Sequence, residues 1–264
     1  MARIKILQVG CGAMGTALRQ GLMQQQDNHL IVVDPHVDLS KTAVTSVDQL
    51  PADYQPDIIL FAIKPQIAAE VLPKYSIFNR PGVTFVSIMT GISTARIKQY
   101  LNLTDDAFVV RAMPNLALVI GQGMTGIYAP PTLPQDLQYK INRLFSAVGQ
   151  VMWMEDEDQL NIVTAISGSG PAYFFYLAEM LAKSAKGLGL SDDVANQLAR
   201  QTLIGAGAML SSMPESATQL RANVTSPGGT TAAAISVFDQ SEVLGNLLLK
   251  AVTAAYNRAK ELST

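Results

Sequence analysis

Two stretches of the chain carry residues whose types and spacing could do chemistry. Residues 222–235 read ANVTSPGGTTAAAI, a run of hydroxyls and glycines that passes directly into alanines. A Pro-Gly-Gly turn ahead of a helix-forming segment leaves the first backbone N–H groups of that helix approachable, because glycine has no side chain to keep a ligand away. Such an end attracts anions. The same composition suits a solvent-exposed N-cap loop between two helices, where Ser, Thr and Gly serve local hydrogen bonds. On local grounds both readings stand.

The second stretch, ILQVGCGAMGTAL at residues 6–18, places Gly10, Gly12 and Gly15 in a G-x-G-x-x-G pattern between a strand-like run and a helix. In a dinucleotide site, Gly10 makes the turn, Gly12 admits the pyrophosphate to the backbone and Gly15 lets the helix pack on the strand. Asp34 ends the next strand, where a carboxylate accepts hydrogen bonds from the adenosine ribose. It would also repel the 2′-phosphate of NADP, and no Lys or Arg follows before Lys41, so these residues favour NADH over NADPH. Cys11 reads as a small residue that fits the turn, not as a redox thiol.

Further strand ends gather at the same crevice. In FAIKPQ, Pro65 holds Lys64 extended and starts the next helix, and Lys64 is either solvated or on the cofactor. SIMTGIS and RAMPN bring Thr90, Gly91, Pro114 and Asn115 near a nicotinamide. Arg111 could hold a substrate carboxylate, but an internal ion pair is the preferred reading.

These residues need elements to position them. The runs IKILQVG, LIVVD, DIILFAIK, VTFVSIM, AFVVRAM and MTGIYA alternate with helical patterns, which predicts an α/β fold with a mostly parallel, doubly wound, Rossmann-like sheet. Strand signals stop near residue 156. Helices are expected over 171–187 after Pro171, over 192–212 behind Ser191 with Asp192 and Asp193 in the first turn, and over 242–262 behind Ser241. Gly205 and Gly207 in LIGAGAML permit close helix approach. The division falls at residues 1–158, a dinucleotide-binding domain, and 159–264, an all-helical domain for dimerisation and substrate binding.

Composition narrows the function classes. A chain of 264 residues, 48% hydrophobic, suits two domains, and a net charge of -2 from 19 basic and 21 acidic residues gives no field for nucleic acid. Cys11 is the one cysteine and no Cys/His cluster exists, so neither a disulfide nor a metal site is expected, and a reducing cytoplasm fits. The start enters a strand at once, and the two long uncharged stretches, 112–135 and 159–178, are broken by prolines or by SGSGP; no membrane partner is expected. A mean hydropathy of +0.21 points instead to helix surfaces shared between subunits.

Ketone reduction leaves an alkoxide that needs a nearby acid. The two histidines, His29 ahead of the second strand and His36 on the adenosine side, are not placed to supply it. A protonated imine becomes a neutral amine on receiving hydride, so the protein need only orient it and hold its other groups. A hydroxyl for a ring nitrogen and bare N–H groups for a carboxylate are the parts in residues 222–235.

The glycine motif, AIKPQ, RAMPN, ISGSGPAY and NVTSPGGTT together resemble the pyrroline-5-carboxylate reductase family over essentially the whole chain, the last two motifs most specifically. The resemblance implies a Rossmann domain, an all-α dimerisation domain, and NAD(P)H-dependent reduction of 1-pyrroline-5-carboxylate to L-proline, the last step of proline biosynthesis. By position, it puts proline binding on Ser226, Gly228, Gly229, Thr230 and Thr231, with the Thr231 hydroxyl meeting the ring nitrogen; Asn115 is counted with them. It puts the cofactor loop on Gly10, Cys11, Gly12, Ala13, Met14 and Gly15, and nicotinamide-side contacts on Ala62, Lys64 and Pro65. An interleaved homodimer with the site at the subunit junction, assembled further into rings of dimers, is also implied. Asp34 departs from the family's frequent small or polar residue there. Two rivals remain. A beta-hydroxyacid dehydrogenase would need an interdomain lysine, but Lys183 and Lys186 come late in their helix and lack an Asn partner. A non-catalytic dinucleotide sensor would not need the substrate loop.

Overall fold

The computed structural model describes residues 4–24, 28–36 and 43–263. The chain forms two compact units, Met1–Ser169 with Ala255–Thr264, and Gly170–Ala254. Sheet pairing ends with the strand at Gly149–Met154, close to the boundary expected at 158, whereas compactness divides the chain at 169 and returns its last ten residues to the first unit.

The first unit holds β1 (Ile4–Val9), β2 (Asn28–Val33), β3 (Ala43–Val44), β4 (Ile58–Phe61), β5 (Thr84–Ser87), β6 (Phe108–Pro114), β7 (Gly123–Tyr128) and β8 (Gly149–Met154). They form one sheet in the order β3-β2-β1-β4-β5-β6-β7-β8. All neighbours are parallel except β6 and β7. The order reverses between β1 and β4, so their carboxyl ends border the crevice that doubly wound sheets use for ligands.

The unit's helices are α1 (Ala13–Gln24), α2 (Ala68–Val71), α3 (Thr94–Leu101), α4 (Gln135–Ser146) and α5 (Gln159–Val163). They cover both faces because strand side chains alternate. Ile6, Ile58, Leu60 and Val110 pack on one side with Leu18, Ile141 and Phe145 of α1 and α4. Leu7, Ile59, Phe61, Phe85 and Val109 pack on the other with Leu72 and Ile97.

The six expected strands are present, and β3 and β8 were not foreseen. β8, GQVMWM, lies at the sheet edge with Met152 exposed; its apolar run is only the four residues Val151–Met154, too short by itself to tell a strand from a helical segment. His29 is corrected from a position ahead of the second strand to its second residue, paired with Lys5, which still puts it at the end away from the crevice.

The second unit consists of α6 (Gly170–Gly187), α7 (Asp192–Ser212), α8 (Ala217–Asn223), α9 (Thr230–Asp239) and most of α10 (Val243–Leu262). α7 spans the expected residues, although the Ser191 hydroxyl makes no capping bond; Asp192 pairs with Lys186 instead. Ser241 is corrected as an N-cap. It sits at φ 52 in a one-turn kink, outside the extended backbone that capping requires, and its carbonyl accepts from the Asn246 side chain at 3.4 Å.

This unit buries little of its own apolar surface. Its core cluster is Ala182, Ala195 and Ala199, while Phe175 is 64% exposed and Leu249 66%. Phe174, Tyr176, Leu198, Ile204 and Leu247 are exposed as well. A Cβ added at Gly205 or Gly207 would meet no atom within 4 Å, so the close approach these glycines permit is not made inside one copy. Apolar exposure on this scale marks an association surface.

Candidate active site

β1 delivers the chain into Gly10, whose φ of +94 is costly for any residue with a Cβ; that atom would also sit 2.6 Å from the Ala62 carbonyl oxygen. A Cβ at Gly15 would lie 2.6 Å from the Gly10 carbonyl oxygen, so this glycine lets α1 close onto the end of β1. A Cβ at Gly12 would meet nothing within 4 Å. Protein atoms thus explain two of the glycines and leave open space at the third, which fits a group laid against the backbone there. The turn at Gly10 and the helix packing at Gly15 are the roles their spacing had assigned.

Asp34 lies just past β2, with its carboxylate turned onto the glycine loop. Oδ2 accepts from the Cys11 N–H at 2.6 Å and Oδ1 from the His36 N–H at 2.8 Å. Each oxygen keeps lone-pair capacity for a further donor. Cys11 is buried, its sulfur 3.5 Å from the Thr16 hydroxyl, in keeping with a packing role. Lys41 lies outside the described residues.

A cavity of about 310 Å³ opens beside this loop. Gly12, Ala13 and Met14 line it with Ala62, Lys64 and Pro65 after β4, Thr90 after β5, and Pro114. Four strand ends therefore converge as expected. Lys64 has extended backbone (φ -68, ψ 138), Pro65 opens a helical turn, and the lysine side chain is exposed. Ile63, Ile88, Met89 and Met113 also wall the cavity and were not anticipated, although all but Ile88 flank a residue that was. Gly91 is not in the wall: at φ +79 it packs beneath the Leu262 backbone, where a Cβ would collide.

Arg111 is buried and donates to Glu157 at 2.9 Å, the internal ion pair preferred from the sequence. Glu157 also accepts from the Thr94 N–H and hydroxyl, each at 2.7 Å, and so fastens the start of α3. Asn115 makes contacts within the fold. Its Nδ2 donates to the Ser167 carbonyl at 3.2 Å and its Oδ1 accepts from the Met124 N–H at 3.2 Å. Ser167 belongs to a π-helical turn, Thr164–Gly168, that runs into the start of the ISGSGPAY motif. Such turns are frequent at functional sites.

In the second unit, the Ser226 carbonyl accepts from the Gly229 N–H at 3.0 Å, with Pro227 and Gly228 (φ +71) at the corners. That is the pattern of a type II turn, which needs a glycine-like residue at its third position. Gly229 then stands at the N-cap of α9 with extended backbone and no side chain capping the helix. The hydroxyls of Ser226, Thr230 and Thr231 make no hydrogen bond among the described residues. A side-chain cap is therefore not what these residues form, and the amides opening α9 remain approachable.

A Rossmann sheet with a glycine-loop crevice, joined to helices that cannot cover themselves, defines a nicotinamide-dependent oxidoreductase that works as a homo-oligomer. Residues 157–262 match the family model for pyrroline-5-carboxylate reductase dimerisation, and residues 3–91 match one described as NADP oxidoreductase, coenzyme F420-dependent. A relative from Haemophilus influenzae named pyrroline-5-carboxylate reductase is 34% identical, over 97% of this chain and 96% of its own. The chain belongs to the pyrroline-5-carboxylate reductase family. Among solved structures, a pyrroline-5-carboxylate reductase from Coxiella burnetii has a TM-score of 0.89 and 34% identity, covering 98% of both chains. One from Plasmodium falciparum with NADP bound has a TM-score of 0.84 and 26% identity over the full length of both. Among the described residues, no helix is long and apolar enough to cross a membrane.

Proposed function

We propose that this chain reduces 1-pyrroline-5-carboxylate to L-proline, the closing step of proline biosynthesis, and that it takes its hydride from NADH in preference to NADPH. When bound, the dihydronicotinamide supplies the hydride. Residues 1–158 act as the dinucleotide-binding domain and 159–264 as the domain for dimerisation and substrate. Gly10, Cys11, Gly12, Ala13, Met14 and Gly15 form the loop against which the pyrophosphate lies; with the Gly10 and Cys11 N–H groups engaged by the Val33 carbonyl and by Asp34, the amides from Gly12 onward meet it, and Asp34 holds the adenosine ribose. Ala62, Lys64 and Pro65 border the nicotinamide.

The amides opening α9 behind Ser226, Gly228, Gly229 and Thr230 hold the substrate carboxylate. Thr231 faces the ring nitrogen, its oxygen accepting the N–H of the protonated imine. Hydride addition then gives a neutral amine, and no acid is needed at the carbon. Asn115 keeps one acceptor lone pair for substrate while it holds Ser167. The observation that carries this reading is the uncapped, glycine-fronted start of α9 with its unengaged hydroxyls. It is tested by following oxidation of NADH and NADPH, separately, with the five-membered cyclic imine.

The cofactor preference rests on Asp34. Its carboxylate is held on the Cys11 amide, and a 2′-phosphate brought to that place would meet like charge. Wild type should favour NADH in kcat/KM, and Asp34→Ser should shrink the ratio about tenfold, the equivalent of roughly 1.4 kcal/mol. Because one loop bond is lost as well, the variant should also bind NADH less tightly. Equal wild-type efficiency with both cofactors would sink the carboxylate argument.

Phe175, Leu247, Leu249 and their exposed neighbours are covered by the helices of a second copy, in an interleaved dimer. Rings of dimers are the further assembly the family resemblance suggests. One cysteine and no disulfide suit work in a reducing cytoplasm. Sedimentation velocity should find no monomer at assay concentration; a monomer with full activity would contradict the covered face.

A further inference from the structure

The alternation of β1 gives residue 8 to the same face as Ile4 and Ile6, where α1 contributes Leu18 and Leu22. An aliphatic side chain would satisfy that place. The residue is Gln8, fully buried. Burying an amide is unfavourable unless its polar atoms find partners, and here they do so only in part. Nε2 donates to the Gly10 carbonyl and to the Gly15 carbonyl, each at 2.9 Å, while Oε1 has no partner among the described residues. The amide thus leaves an acceptor orphaned to make two bonds, and both go to the motif glycines.

The Gly10–Cys11 peptide is planar and trans, so its C=O and N–H point in opposite directions. Gln8 holds the C=O, and Asp34 Oδ2 accepts the N–H at 2.6 Å. Gly10 is the residue at which rotating this plane meets least resistance, since its φ of +94 lies where glycine moves freely. Two side chains, one on β1 and one just past β2, therefore grip one peptide from opposite sides. The second Gln8 bond ties the same amide to Gly15, inside the first turns of α1, and so fixes the spacing between the strand end and the helix.

We propose that Gln8 is a positioning residue for the dinucleotide: by gripping the Gly10 and Gly15 carbonyls from the core, it keeps the loop in the one conformation that presents its amides to the pyrophosphate. The proposal rests on residues 10–15 being the cofactor loop. Preorganisation of this kind acts on affinity and leaves the chemical step alone.

The test is titration of the full-length enzyme with NADH, with saturation kinetics and melting curves, for Gln8→Met and Gln8→Glu. Methionine keeps volume and flexibility without donors; glutamate keeps the shape but turns an oxygen towards the two carbonyls. Both should raise the Kd and KM for NADH about five- to twentyfold, with kcat within about twofold and the KM for the imine unchanged. Gly12→Val is the control: if it too binds NADH normally, the loop itself has been misread. Weak binding by Gly12→Val beside normal binding by both Gln8 variants overturns only the positioning role. So does a fall in melting temperature with NADH affinity per folded molecule intact, or failure of both variants to fold, because Gln8 would then be a requirement of the core alone.

Discussion

Gly12→Val should fold as the wild type does and lose its dinucleotide. No protein atom lies within 4 Å of a Cβ built at Gly12, so the valine has room while the cofactor is absent. That room is the place proposed for the pyrophosphate, whose bonds to backbone N–H groups are charge-assisted and contribute roughly 1.5–3 kcal/mol each. Losing two of them would raise the NADH Kd by about a hundredfold or more. Gly15→Val is the instructive contrast, because its Cβ would already press on the Gly10 carbonyl at 2.6 Å and on Gln8 Nε2 at 3.1 Å. That variant should lose melting temperature first, and binding only as a consequence. Fluorescence titration beside differential scanning fluorimetry separates the two. A Gly12→Val protein that binds NADH like wild type would mean that residues 10–15 do not cradle the cofactor.

Thr231→Ala should keep its cofactor and its stability and lose turnover. The Thr231 hydroxyl engages no partner among the described residues, and no side chain caps α9. Its removal therefore costs the fold little. If its oxygen accepts the N–H of the protonated imine as hydride arrives, the lost hydrogen bond is worth roughly 1–3 kcal/mol, or about ten- to a hundredfold in rate. Thr231→Ser keeps the hydroxyl and should lose much less. An N-cap role predicts the opposite pattern, with a lower melting temperature in the alanine variant and unchanged turnover per folded molecule. Steady-state kinetics with NADH and the five-membered imine, run beside melting curves for both variants, distinguish these outcomes. An alanine enzyme that is fully active and less stable would make the loop a cap.

The glycine motif, the extended Lys64 ahead of Pro65 and the span of α7 were legible from sequence because each follows from local rules: backbone freedom at glycine, restriction before proline, and the helix-start signals of Ser191, Asp192 and Asp193. The same rules failed where a neighbour distant in sequence decides. Ser241 has an N-cap's composition, but it is held in a left-handed kink whose carbonyl Asn246 satisfies. Asn115 was legible as a polar residue at a strand end, yet only the approach of the π-turn shows its amide committed to Ser167. Ile63, Met89 and Met113 read as ordinary core residues until four strand ends bring them into one cavity wall. β8 has an apolar run of only four residues, which periodicity cannot assign to strand or helix, and its pairing with β7 defines it. Gln8 is the sharpest case, since its sequence position says only that a polar residue interrupts an apolar strand. The sequence by itself determined which backbone positions are free or restrained, because φ and ψ preferences act within a few residues. The tertiary structure decided which groups meet: the hydrogen bonds that Gln8 donates to, and Asp34 accepts from, one peptide require two strands and a helix to be packed first.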